Sequence, residues 1–304
     1  MTKKAKPFVK WAGGKTQLIK IIEQAMPKNF GGAHATYIEP FVGGGAMLFH
    51  VLNHYPKLGN VVINDINTDL IGTYKTIQNK VEELIVILQS WELEYHALLE
   101  DNEAKKAYYY QKRELFNSRS SGELYQAALF IFLNKTCFNG LYRVNRKNEF
   151  NVPIGGYKKP LICDVENLSA VHASLQRVSI LNGDFENTLK EAQGNTFFYF
   201  DPPYKPLSET SSFNSYTKDE FNDDEQIRLA RFCDKLDEQG YQWILSNSDV
   251  RGKNPKDNFF DDLYKNYQIN RVNAKRSINA NPDKRGELTE LLIKNSAKKY
   301  AEVI

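Results

Sequence analysis

The sequence predicts an α/β protein built on a mostly parallel sheet, with one run of helices inserted into the alternation. Three observations predict it. Short β-prone stretches at 37–39, 61–64, 178–181, 196–200, 241–246 and 288–293 alternate with stretches whose apolar residues recur at helical spacing. The first strand passes through Pro40-Phe41-Val42-Gly43-Gly44-Gly45 into a helix start at 46–52, and the second ends at Asp65. Between about 68 and 163 the strands stop.

Taken in order, residues 68–89 read as helix, followed by helical stretches at 81–100, 104–116 and 124–133. Residues 139–160 then turn rich in Gly, Asn, Tyr and basic side chains, as a basic loop or hairpin would. We therefore expect one domain from residues 1–67 and 164–304, interrupted by a mainly helical domain at 68–163. In the second half, helices fill the intervals between strands, the clearest at 220–238.

Composition agrees with this reading. At 41% apolar and 25% charged residues the chain can bury a sizeable core and lies far from disordered sequences. Its formal net charge is only +3, which excludes a uniformly basic coating protein. The basic residues are nonetheless segregated: residues 1–20, 135–160 and 271–285 together carry +15, leaving −12 for the remainder. Such segments are either a nucleic-acid footprint or three solvated loops. Cys137, Cys163 and Cys233 are widely spaced with no C-x-x-C pair, so neither a disulfide framework nor a zinc site is implied, and no metal is expected. No run of 18 apolar residues occurs, and no apolar stretch follows the basic start as in a signal peptide. The expectation is a soluble cytoplasmic protein with no membrane partner.

The chemistry-bearing residues cluster at strand ends. Gly43 and Gly45 let a ligand approach the backbone where strand passes to helix, and Asp65 is placed to accept hydrogen bonds from ribose hydroxyls. A dinucleotide fingerprint starting at Gly43 would need glycine where this chain has Leu48, so a nucleoside without phosphates, such as S-adenosylmethionine, fits better. The triple-glycine turn could equally be structural. Gly13-Gly14-Lys15-Thr16 looks like the end of a P-loop, but Val9 occupies its first glycine position. Lys15 and Trp11 could instead meet a carboxylate and a cationic centre, both present at the methionyl end of S-adenosylmethionine. The alternative for Trp11 is an ordinary core aromatic. Asn182-Gly183-Asp184-Phe185 follows another strand, where Asp184 could accept from an adenine amino group and Phe185 flank the ring, or the pair could be a simple turn.

Asp201-Pro202-Pro203-Tyr204 is the most informative element. It follows the apolar run at 197–200, and so falls at the carboxyl edge of a buried strand, where α/β proteins bind ligands. A chance occurrence is on the order of one in a thousand for such a chain. An amine conjugated to an aromatic ring is a poor nucleophile. Asp201 and the Pro202 carbonyl could each accept one of its N–H bonds and aim the nitrogen lone pair at a methyl group, with Tyr204 stacked on the base.

In this order, KWAGGK at 10–15, EPFVGGGA at 39–46, IND at 63–65, GDF at 183–185, DPPY at 201–204 and LSN at 245–247 resemble the Dam-type, D12-class DNA adenine-N6 methyltransferases of the alpha order. The resemblance covers nearly the whole chain. FNGLYRVNRKNEFNVPIGGYKKP at 138–160 resembles the recognition hairpin of members that methylate GATC, and PLSETSSFNSYT at 206–217 resembles a loop of restriction-system GATC methylases that the family places beside the flipped adenine. It implies a Rossmann-like S-adenosylmethionine-dependent methyltransferase domain with an inserted, mainly helical DNA-recognition domain carrying a β-hairpin. By the same resemblance Trp11, Lys15, Asp65 and Asp201 contact the cofactor, with Phe41, Gly43, Asp184 and Phe185 lining its pocket. Asp201, Pro202 and Tyr204 carry methyl transfer. Lys10, Leu141, Arg143 and Pro153 face the recognition bases, and Phe138 and Asn139 enter or flank the duplex; the family often has Tyr in place of Phe138. The partners implied are double-stranded DNA and a cognate restriction endonuclease acting on the same site without forming a stable complex. Rival readings are a methyltransferase acting on RNA or on an amide, an inactive DNA-binding module and, more distantly, a P-loop ATPase.

Overall fold

A computed structural model describes residues 3–11, 18–28, 30–98, 101–207, 221–275 and 287–295. After a short helix, α1 (Ile19–Ala25), the chain enters β1 (Ala35–Glu39), whose five residues are all buried. The Gly43–Gly45 turn leads into α2 (Ala46–His54), and β2 (Asn60–Asp65) follows. Four helices come next: α3 (Thr68–Asn79), α4 (Val81–Ala97), α5 (Asn102–Ser118) and α6 (Glu123–Thr136). The alternation resumes with α7 (Val165–Leu175), β3 (Val178–Asn182), β4 (Asn195–Phe200), α8 (Asp223–Glu238) and β5 (Gln242–Ser248). Two short helices, α9 (Val250–Lys253) and α10 (Phe259–Leu263), precede β6 (Gln268–Lys275) and β7 (Glu287–Lys294).

Among the described residues the sheet has seven strands in the order β3-β2-β1-β4-β5-β7-β6. The first five run parallel, while β7 is antiparallel to β5 and β6 antiparallel to β7. Strand order reverses between β1 and β4, so the loops leaving their carboxyl ends diverge and open a crevice. That crevice receives the glycine turn, Asp65 and Asp201. Both sheet faces are covered, which explains the complete burial of β1 and the continuous apolar run of β4 at 197–200. On one face Phe198, Phe200 and Leu245 pack with Leu229, Phe232 and Leu236 of α8. On the other, Tyr37, Tyr199, Ile244 and Leu292 join an apolar cluster that continues through α2, α3, α6 and α7. The helical insertion thus shares its core with the sheet.

Three details depart from the pattern read in the sequence. The helix expected over 68–89 is two, broken at Lys80, which leaves the helical region (φ −141°, ψ 41°) and marks the corner between them. β6 was missed because its QINRVNAK sequence is polar and reads as part of a basic segment. The hairpin at 138–160 is closed by isolated antiparallel bridges, Cys137 to Ile154 and Val144 to Phe150, without continuous strands. The side chain of Asn117 on α5 supplies the reason: it accepts from the Phe150 amide (2.8 Å) and donates to the Phe150 carbonyl (3.0 Å), anchoring the hairpin to a helix at that point.

Candidate active site and nucleic-acid interface

The glycine turn is fixed from beneath. Asn64, buried at the end of β2, donates to the carbonyls of Pro40 (3.1 Å) and Gly183 (2.9 Å), tying the loops after β1 and β3 together. Asp65 accepts from the Gly43 amide (3.0 Å) through one carboxylate oxygen and from the Asn67 amide (2.9 Å) through the other. With the Ile66 amide also donating to this carboxylate, three of its roughly four acceptor positions are taken and one is left for a hydroxyl donor. Burial pushes the Asp65 carboxyl up to about 6, against the lowering effect of the amides of Asn67 and Gly43. Gly43 sits at φ +49°, and a Cβ there would lie 2.9 Å from the Trp11 ring. The Trp11 indole therefore covers the turn, and on its other side stacks on Tyr142 of the hairpin at 5.4 Å.

Next to the turn, the Phe41 and Phe185 rings lie 5.3 Å apart. Asp184 is engaged elsewhere: Arg228 of α8 grips its two oxygens at 3.0 and 2.7 Å. Burial works against the Asp184 charge, but the hydrogen bonds from Arg228 and the Glu186 amide outweigh it and hold the carboxyl below its ordinary range. Arg228 also lies over the Phe185 ring at 4.2 Å, so the pair fixes that ring as a wall of the pocket.

Asp201-Pro202-Pro203-Tyr204 leaves β4 as an extended segment at the carboxyl edge of the sheet, as expected. Its conformation is clamped by a buried polar network absent from the sequence reading except for the LSN motif. Gln226 donates to the Pro203 carbonyl (3.0 Å) and accepts from Asn247 (3.0 Å), whose oxygen accepts from the Lys205 amide (3.2 Å). Ser248 donates to the Lys205 carbonyl (2.7 Å). Among the described residues nothing bonds the Pro202 carbonyl. Buried Glu39 completes the edge at the end of β1; burial raises its carboxyl well above the ordinary value, and Tyr37 donates to it at 2.9 Å.

Several of the residues expected on the DNA side lie along the hairpin and beside it. Phe138 is 51% exposed beside Asn139, a non-glycine residue at φ +56°, and the Phe138 amide donates to the carbonyl of exposed Pro153 at 2.9 Å. Lys10, also exposed, bonds the Tyr157 hydroxyl at 3.1 Å and lies over that ring at 4.6 Å. Leu141 and Arg143 are half-buried, the latter oriented by a hydrogen bond to Asn151 (2.8 Å). One buried side chain ties Lys10 to the hairpin: Asn134 of α6 accepts from the Lys10 amide (2.8 Å) and donates to the carbonyls of Lys10 (2.8 Å) and Gly140 (3.0 Å), while Trp11, next in the chain, covers the glycine turn.

The family model for D12 class N6 adenine-specific DNA methyltransferases matches residues 11–278. The chain belongs to that family. It is 51% identical over 95% of its length to "Type II methyltransferase M.MjaIII" of Methanocaldococcus jannaschii, covering 99% of that protein. It is 38% identical to "Type II methyltransferase M1.LlaDCHI" of Lactococcus lactis subsp. cremoris, and 32% identical to the DNA adenine methylase of Escherichia coli K12, covering 95% of each chain in both cases. The D12-class chain is therefore an N6-adenine DNA methyltransferase, of a class that is generally S-adenosylmethionine-dependent.

Not every anticipated residue of this D12 methyltransferase enters the picture. Lys15, with the rest of Gly13–Thr16, and most of the loop at 206–217 lie outside the described residues. Of the basic segment at 271–285 only the start is described, and there Arg271 pairs with Asp261 (2.7 Å) and with buried Asp249 (3.2 Å), so its charge is spent within the protein. Lys3 is likewise paired with Glu166 (2.7 Å). The three cysteines are free and buried. Among the described residues no cluster of His, Cys, Asp or Glu could hold a metal, and no helix is long and apolar enough to cross a membrane.

Proposed function

We propose that the enzyme methylates N6 of an adenine flipped out of duplex DNA, within GATC, using S-adenosylmethionine. The carrying observation is the shared mount: Asn134 ties Lys10 to Gly140, so the turn covered by Trp11 and the exposed edge of Lys10, Phe138 and Pro153 stand on one frame. A crevice for a nucleoside and a DNA-facing edge are then held in fixed relation.

The residues fit the cofactor. Asp65 keeps an acceptor position for a ribose hydroxyl, Phe41 and Phe185 offer flat apolar surface to an adenine, and the turn lacks a pyrophosphate fingerprint. S-adenosylmethionine, when bound, supplies an electrophilic methyl. Flipping costs a few kcal/mol of unstacking, and exposed Phe138 is suited to fill or flank the space the base leaves. In the pocket Asp201 and the Pro202 carbonyl accept the two N6 hydrogens, while Tyr204 stacks on the ring. In free adenine both hydrogens lie in the ring plane and the lone pair is conjugated, so acceptors that draw the N–H bonds out of that plane favour rehybridisation of nitrogen and free its lone pair. As the new N–C bond forms, N6 must lose a proton, and Asp201 is already its acceptor. No covalent enzyme intermediate is required.

Basic contacts from Lys10 and the hairpin supply affinity for the phosphates, and Arg143 discriminates a guanine. Two relatives named type II methyltransferases support a restriction-modification setting, with a nuclease that shares the site but forms no stable complex. The test is methylation of mixed-sequence DNA in vitro by the purified protein, followed by mapping of modified bases. N6-methyladenine confined to GATC is expected. Another sequence context would overturn the specificity, and no N6-methyladenine would overturn the whole reading. Asp201→Ala is expected to abolish methylation while DNA binding persists.

A further inference from the structure

Glu290 lies on a strand that is antiparallel to its neighbour and therefore begins at the edge where the parallel strands end. It pairs in register with Ser248, the last residue of β5. By strand alternation it shares a face with Leu292, which packs in the same cluster as Tyr37 and Tyr199. This is also the face on which Tyr37 donates to Glu39 and Tyr199 bonds Ser246 (2.8 Å). On this polar ladder the Tyr204 hydroxyl donates to Glu290 at 2.7 Å.

A stacking tyrosine needs a defined ring plane, and its two side-chain torsions are not fixed by the proline pair that precedes it. Pro203 and Lys205 are clamped through their backbones by Gln226, Asn247 and Ser248, which set the Cα of Tyr204 but act on no atom of its ring. A hydrogen bond to a carboxylate on a different strand does restrain the ring. Burial raises the Tyr204 hydroxyl well above its ordinary value, with Asp201 and Glu290 adding to it, so the phenol stays a donor.

We propose that Glu290 is a positioning residue for methyl transfer, holding the Tyr204 ring in the plane on which the target adenine stacks. The inference rests on the role given to Tyr204 above. Single-turnover methylation of a GATC duplex separates the two. Glu290→Ala and Tyr204→Phe should each slow the step by about 10-fold or more, the loss expected for a hydrogen bond to a charged acceptor, with affinity for S-adenosylmethionine within about 2-fold of the parent. Glu290→Gln keeps an acceptor oxygen and should restore most of the rate. The combined Tyr204→Phe, Glu290→Ala variant should lose clearly less than the product of the two single losses, because the bond between them is removed by either. Multiplying losses, or a parental rate in Glu290→Ala, would overturn the proposal. Tyr204→Ala is the control on the underlying reading: if it retains turnover, the stacking role itself fails, whereas if it abolishes turnover and Glu290→Ala does not, only the positioning role fails. Should Glu290→Ala not fold, Glu290→Gln and Tyr204→Phe still decide, since a slow Tyr204→Phe beside a fast Glu290→Gln is expected and the reverse overturns it.

Discussion

Lowering the pH should release the cofactor through Asp65. Its carboxyl titrates near 6 in the free protein, against an ordinary 3.8, because burial costs the charged form more than the Gly43 and Asn67 amides return. Ribose hydroxyls donating to the carboxylate favour the ionised state, so S-adenosylmethionine selects deprotonated enzyme. With binding confined to that form, affinity falls by the factor 1 + 10^(6 − pH), about 2-fold at pH 6 and roughly 10-fold at pH 5. The stability of the free protein carries the opposite sign. Between about 4 and 6 the native state holds a proton that the unfolded chain has already lost, so this group's contribution to stability declines as pH rises through that window. Cofactor binding offsets the loss above it. The assay is calorimetric titration of S-adenosylmethionine from pH 5 to 7 on the parent and on Asp65→Asn, whose uncharged amide removes this titration and subtracts every other group ionising over the interval. A parent profile as flat as that of Asp65→Asn would refute the assignment of Asp65 to the ribose.

Three other perturbations test the remaining parts. Gly43→Ala places a Cβ 2.9 Å from the Trp11 ring at a left-handed φ, and with Trp11 backed by Tyr142 the turn must distort; a thermal melt should show a loss of about 1 to 3 kcal/mol and titration a weaker cofactor. Asn134→Ala deletes three hydrogen bonds to the backbone of Lys10 and Gly140 at a buried position, an expected cost of about 2 to 4 kcal/mol by denaturant unfolding, accompanied by loss of both cofactor and DNA affinity. Arg143→Ala should relax the sequence preference more than it weakens nonspecific binding in a salt-controlled competition assay, with about 1 to 3 kcal/mol of discrimination lost at the base it reads; equal losses would make it a phosphate contact.

What the sequence disclosed follows from how locally each feature is encoded. The crevice was legible because strand, turn and acid sit within one short stretch: Gly43 and Gly45 adopt the positive φ that their lack of a Cβ permits, and Asp65 ends its strand. Asp201 to Tyr204 was legible for the same reason. Partners far apart in the chain were not. Nothing near Asp184 foretells Arg228, and nothing near Tyr204 foretells Glu290, since each contact is made only when α8 and β7 close on the sheet. Charge was less telling. Within the basic segment at 271–285, Arg271 is an internal ion-pair partner of Asp249 and Asp261, a fate that a count of basic residues cannot distinguish from solvent exposure, and the segment's other basic side chains lie outside the described residues.

Which basic residues are paired bears on how the enzyme would meet DNA. Lys3 and Arg271 spend their charge on the body, whereas Lys10 and the hairpin touch through the Lys10 to Tyr157 contact. On the proposed function, each basic side chain paired within the protein is one fewer to neutralise a phosphate, so affinity should depend less steeply on salt than a count of all basic residues would demand. Lys10 sits on the same mount as the glycine turn, because Asn134 holds it and Trp11 follows it directly in the chain. On the proposed function, a poorly matched duplex that shifts the hairpin edge would strain the Trp11 to Tyr142 stack above Gly43. Through that stack, discrimination between DNA sequences would reach the turn proposed to hold the cofactor, and a wrong site would be penalised in the chemical step as well as in binding.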